Sequence, residues 1–235
     1  MSDIEVPNID FDTETSLTTG PGHDDLFGTA GNDLVIGAVG GPTTTLGPAD
    51  IIRGDGGMDL LSITFTTDSP QAVGWLSWDM DVFQARAFNS GKAVVNMVDA
   101  VGTSTLWLDN NTGNTQFDFV QNLVDIVVTG GDFYSDINYA PGVSGDQEIL
   151  VQGVLDRNID ITGGVPNLWL HANGAASDID IDSAATNVMV MGDAPSLELY
   201  LGGEAGEYVA TFDSSSFGGH TTVEADIGND GGTAT

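Results

Sequence analysis

The chain contains no cysteine, so it has neither a disulfide framework nor a thiolate metal site. It is almost as poor in positive charge. Four Lys and Arg residues stand against 35 Asp and Glu, for a formal net charge of −31. Nucleic acid and anionic membrane surfaces are excluded as partners, because both are gripped through Lys and Arg. No apolar run reaches the ~18 residues a spanning helix needs, so no membrane insertion is expected. Histidine is scarce as well: His23, His171 and His220 lie far apart, without an H-x-x-x-H spacing for zinc. No G-x-S-x-G is present to signal a nucleophile elbow. The N-terminal stretch MSDIEVPNIDFDTETSL is acidic and lacks the apolar core of a cleavable secretion signal.

What remains is acidic but not depleted of core-forming residues. Apolar residues make up 40% of the 235 and the mean hydropathy is +0.03, which argues for a packed core rather than disorder. So large a charge excess opposes compaction unless cations or screening relieve it. The expectation is a folded acidic protein that requires cations.

Residues 19–62 show the clearest pattern. Laid out in nines, four units place Asp24, Asp33, Asp50 and Asp59 at the sixth position and Leu26, Val35, Ile52 and Leu61 at the eighth. Gly20, Gly22, Gly28, Gly31, Gly54 and Gly57 punctuate the turns, while Pro48 stands where a glycine is expected. Six residues would make a tight turn with inward carbonyls, and three a short strand with its apolar residue buried. Two nines complete a coil, so Asp24 should stack on Asp50 and Asp33 on Asp59. The spacer Gly37 to Thr44 is expected to bulge without disturbing that pairing. Carboxylate and carbonyl oxygens alone suit a hard ion such as calcium, Ca2+. The plainer alternative is a glycine-rich loop carrying scattered aspartates, but four aspartates and four apolar residues in one register argue against it.

Beyond residue 92 the chain repeats by pattern. Strand triplets centred on Trp107, Val127, Leu150, Trp169 and Met189 interleave with others centred on Asp118, Asn138, Asp160, Asp180, Glu198 and Glu224. Two strands per coil of about 20 residues describe a two-sided parallel β-solenoid. An antiparallel β-sandwich is the competing all-β reading. The expected organisation is a leader or cap (1–18), a nonapeptide region (19–62), a β connector (63–92), solenoid repeats (93–225) and a polar tail (226–235). Within the connector, Trp75, Trp78 and Val82 recur at helical spacing, yet VFQARAF alternates as a strand does, and strand is the better reading. Flanking residues of each triplet should point inward and middle residues outward. The acidic outer column would attract cations or stay solvated. The apolar column Trp107, Val127, Leu150, Trp169, Met189 would be an interface, or would be buried under a loop of the same chain such as residues 66–92.

Acidic-sugar chemistry needs a cationic groove, and Arg53, Arg86, Lys92 and Arg157 form no visible cluster, so an enzyme is not expected. The block GHDDLFGTAGNDLVIG with TLGPADIIRGDGGMDLLSITF, and later phrases such as LVDIVVTGG and NVMVMGDAPSLELYL, resemble the RTX-type calcium-binding surface-layer proteins of Gram-negative bacteria. The resemblance covers most of residues 19–225. It implies calcium ligands at the four aspartates and their turn glycines, and type I secretion to the cell surface. It also implies self-assembly into a homo-oligomer or polymer, with a cell-surface polysaccharide as a possible anchor. An RTX-type adhesin or matrix module, or a β-helical polysaccharide lyase or epimerase, are the alternatives.

Overall fold

In the computed structural model every regular element among the described residues is a β-strand. The structure describes residues 4–9, 16–40, 44–66, 71–73, 76–88, 91–155, 157–202 and 209–225; the polar tail 226–235, Trp75 and residues 41–43 of the spacer lie outside them.

The described residues form three sheets. Sheet A begins with β1 (Ser16–Thr18), β3 (Leu34–Val39), β5 (Leu60–Phe65), β8 (Val82–Ala87) and β11 (Thr105–Asp109). It continues through β13 (Asp125–Thr129), β15 (Ser144–Gln152), β17 (Gly164–Ala172), β19 (Asn187–Gly192) and β21 (Thr211–Phe217). Sheet B holds β2 (Asp25–Phe27), β4 (Ile51–Arg53), β7 (Leu76–Trp78) and β10 (Ala100–Val101). Sheet C holds β6 (Gln71–Val73), β9 (Lys92–Asn96), β12 (Asn114–Val120) and β14 (Tyr134–Tyr139). It ends with β16 (Arg157–Thr162), β18 (Ser177–Ser183), β20 (Ser196–Gly202) and β22 (His220–Ala225). Every pairing is parallel, which makes the chain a β-solenoid and rules out the antiparallel sandwich.

Coil length sets the cross-section. Asp33 meets its neighbour in the next coil 26 residues on, whereas Thr115 meets Ser135 after only 20. The longer early coils have enough chain for a third face, and sheet B supplies it. After β10 the shorter coils close on sheets A and C alone. The two-sided form therefore holds for the later repeats, and the early part is broader than expected. Residues 63–92 carry the end of β5 together with β6, β7 and β8, so the coils run through them.

The core follows from alternation. Along sheet A, Val35, Leu61, Phe83, Leu106, Ile126, Ile149, Leu170 and Val190 are successive register partners. All eight are buried, forming one continuous inner stack. Phe83 meets Phe117 of sheet C edge to face, with ring centres 5.8 Å apart, tying the two walls together. One triplet departs from the pattern. Phe119 adopts φ 59 and is exposed, and after the irregularity Val120 takes the inner place beside Tyr139. The spacer also differs from expectation. Gly37, Ala38 and Val39 extend β3 and pair with Ile63, Thr64 and Phe65, while Leu46 folds back into the core.

Candidate functional site

The four expected aspartates meet in the expected pairs. The Asp24 amide donates to Asp50 Oδ1 at 2.9 Å, and the Asp33 amide to Asp59 Oδ1 at 2.8 Å. Each carboxylate thus accepts from the coil before it. Other carboxylate oxygens tie down their own turns: Gly20 N donates to Asp24 Oδ2 at 2.6 Å, Thr29 N to Asp33 Oδ2 at 2.5 Å and Gly47 N to Asp50 Oδ2 at 2.7 Å. Asp33, Asp50 and Asp59 are wholly buried, and Val35, Ile52 and Leu61 fill the core beside them. Leu26 is only partly buried because β2 is the edge strand of sheet B.

The ladder continues where no nonapeptide was read. Asp81, 22 residues after Asp59, accepts the Asp59 amide at 2.9 Å. Asp79 and Asp55 add two exposed carboxylates to the same stack of turns. The phrase DMD ahead of an alternating strand was the available signal, but its turn lacks the glycines of the nonapeptide. Burial, with the charges of Asp33, Asp81 and Asp79 behind it, pushes the Asp59 carboxyl up to about 6. The amide of Asp33 acts in the opposite sense and offsets only part of this. Asp59 Oδ2 has no hydrogen-bond partner.

The glycines explain how closely the turns stack. A Cβ on Gly28 would lie 2.2 Å from the Gly54 carbonyl oxygen and 2.5 Å from Asp33 Oδ2. One on Gly54 would lie 2.1 Å from both Asp59 Oδ2 and the Asp79 carbonyl oxygen. Gly57, at φ +114, packs against the backbone of Gly31, and Gly22 at φ +130 turns the chain ahead of Asp24. Carboxylate and carbonyl oxygens are therefore pressed together between coils. Among the described residues no three carboxylate or imidazole groups converge as a ready metal cage. An ion here would be held by carboxylate pairs and turn carbonyls. A carboxylate oxygen that accepts one N–H, such as Asp24 Oδ2 or Asp50 Oδ2, keeps a second lone pair for it, whereas Asp33 Oδ2 also accepts the Thr29 hydroxyl at 3.3 Å. Asp59 Oδ2 keeps both lone pairs. The donor set fits a hard cation.

The outer faces are ordered differently from the expectation. On sheet C, Asp160 pairs with Asp136 and Asp182 rather than with Asn138 and Asp180. Of the expected column Asp118, Asn138, Asp160, Asp180, Glu198, Glu224, Asp118 does pair with Asn138, and the rest is split into staggered columns. Asp136, Asp160 and Asp182 line up, Asp180 faces Tyr200 and then Glu224, and Glu198 pairs with Asp178. Lys92 forms an ion pair with Asp136, and the Tyr134 hydroxyl donates to Asp160. Burial, then proximity to Asp182, raises the Asp160 pKa.

On sheet A, Trp107, Val127 and Leu150 do align, but Leu150 pairs with His171, whereas Trp169 and Met189 align with Glu148. Nor is the column open to a partner. Ile4 packs on Val127 and Leu150, with Val6 and Trp107 beside it, and both column residues are buried. Among the described residues the cover is the N-terminal segment rather than any part of the stretch 66–92. Val127 and Leu150 therefore form an interface within the chain. Trp169 and Met189 stay half-buried on the neighbouring row.

The histidines remain apart. His23 contacts the Ala49 carbonyl, His171 lies 3.8 Å from Glu148 Oε2, and His220 is exposed at the start of β22. Arg86 is paired with Asp109 at 2.7 Å, and Arg157 is buried over the Phe133 ring at 3.5 Å from its centre. Comparison of the chain with protein-family models, with curated proteins and with solved structures returned no match.

Proposed function

We propose that this chain is a secreted calcium-binding structural protein, which folds on meeting extracellular calcium and assembles with copies of itself at the cell surface. One observation carries the reading: the ladder Asp33–Asp59–Asp81, in which buried Asp59 keeps an oxygen without a donor and a pKa near 6. A carboxylate in that position destabilises the fold unless a proton or a cation accompanies it. Calcium accepts six to eight oxygen ligands in flexible geometry, which suits carbonyl-rich turns better than the strict octahedron of magnesium. Binding only to the folded state, it shifts folding by mass action. In a compartment poor in calcium the −31 chain stays loose for export; outside the cell the turns fill and the coils stack. Assembly is supported by the resemblance to surface-layer proteins and by the outer edge of β21, unpaired among the described residues.

The test is circular dichroism and thermal melting with millimolar calcium, with magnesium and with chelator. The expected outcome is a melting temperature raised strongly by calcium and weakly by magnesium. Identical melting in calcium and in chelator refutes the reading. Sedimentation of the calcium-loaded protein then separates a self-assembling layer protein from a monomeric adhesin or matrix module.

A further inference from the structure

We infer that the outer face of sheet B carries a binding site for a neutral saccharide ring, built from Arg53, Asp55, Trp78 and Asp79. These residues line an open concavity of about 390 Å³. Register places Phe27, Arg53 and Trp78 side by side on adjacent strands. The guanidinium carbon of Arg53 sits 5.0 Å from the Phe27 ring centre and 4.7 Å from that of Trp78. Flanked by two rings, the guanidinium is held by cation–π attraction on both sides.

The disposition of the other cations makes this one unusual. Arg86 and Lys92 are paired with Asp109 and Asp136, and Arg157 is buried. Arg53 alone is exposed without an ion-pair partner among the described residues, in a chain with 35 acidic side chains. Aromatic stacking, not a carboxylate, positions it, so its donors stay free for a ligand. Asp55 and Asp79 flank it from the turns that follow β4 and β7. Both adopt left-handed backbone, at φ 80 and φ 57, where glycine would be the easier residue. Both are exposed.

The chemistry selects the ligand class. Trp78 offers the part of its apolar indole that Arg53 leaves uncovered, Arg53 a set of N–H donors, and Asp55 and Asp79 two pairs of acceptors. A pyranose ring complements all three, with its C–H face on the indole and adjacent hydroxyls donating to carboxylate and accepting from guanidinium. Charge narrows the choice. Two carboxylates against one guanidinium leave the concavity negative, so a uronate or a phosphate is repelled where a neutral ring is not. Asp55 and Asp79 share the stack of turns with the aspartate ladder, but their carboxylates are exposed beside Arg53 and Trp78, so saccharide binding is measured separately from calcium binding.

The experiment titrates the full chain, in calcium and with its fold verified by circular dichroism. The probes are dextran, mannan and galactan oligosaccharides, polygalacturonate oligomers and inorganic phosphate. The expected result is binding to at least one neutral oligosaccharide, weakened about tenfold or more by Trp78→Ala and by Arg53→Gln. Trp78→Phe keeps the stacking plane and should bind within about threefold of the parent. It serves as the working comparison if Trp78→Ala melts early. Asp55→Asn should weaken neutral binding while leaving the melting temperature in place. Binding of polygalacturonate or phosphate alone overturns the inference, as does a failure of all neutral probes or neutral binding indifferent to Arg53→Gln. A chain that folds without calcium yet binds the neutral probe would remove the calcium reading and leave this one standing.

Discussion

Asp59 concentrates the chemistry at the scale of single residues. Its carboxyl titrates near 6 in the fold against about 4 in an unfolded chain. Because the folded value is raised, the ionised form costs the fold stability. That penalty is complete above about pH 6, shrinks as the pH falls through that value, and is gone near pH 4. In chelator, the melting temperature should therefore rise between pH 7.5 and pH 5. Asp59→Asn separates the charge from the hydrogen bond. Asparagine still offers an oxygen to the Asp33 amide but brings no charge. The variant should melt higher than the parent in chelator and gain less from calcium, and melting curves under the two conditions measure both. A variant that loses stability in chelator would show that repulsion is not what Asp59 imposes.

Among the elements, the N-terminal segment is the one whose role is tertiary. Ile4 closes an apolar patch made by β13 and β15, more than a hundred residues along the chain. Ile4→Asp would put a charge against Val127 and Leu150 and uncover Trp107. A loss of about 1.5–3 kcal/mol is expected, the scale of one fully buried aliphatic side chain. The parallel coils do not depend on that segment, so far-ultraviolet circular dichroism should hold while tryptophan emission shifts red. Unchanged stability would mean that the segment lies on the sheet without holding it. The released face would then also be the place to look for contacts between copies, which the covered column does not offer.

For the whole molecule the governing quantity is charge. At −31, self-repulsion acts on every coil, and it is screened by salt or neutralised by bound cations. In chelator, raising sodium chloride from 20 to 500 mM should raise the melting temperature by roughly 3–6 °C, the effect of about 1–2 kcal/mol on a chain of this size. With calcium bound the same salt step should do much less, because the closest carboxylates are already compensated. Equal salt responses with and without calcium would place the repulsion on the outer faces, such as Asp136–Asp160–Asp182, rather than in the turns.

The sequence by itself determined that the chain coils, which residues of nearly every triplet point inward (Phe119 is the exception), and that Asp24 meets Asp50 and Asp33 meets Asp59. Those properties are local: nine residues make a turn and a strand, and side chains alternate along any strand. Val35 on Leu61 and Asp33 on Asp59 follow from that repeat alone. Only the tertiary structure decided the registers of the later coils, where Leu150 pairs with His171 and Asp160 with Asp136. A slip of two residues keeps every side chain on its own face, so alternation cannot reveal it. Turn lengths and the packing of one coil on the next choose among such registers. The same holds for the cover that Ile4 lays over Val127, the third face of the early coils, and the arrival of Asp81 beneath Asp59. Each joins parts of the chain that carry no shared local pattern, and only stacking of the folded coils brings them together.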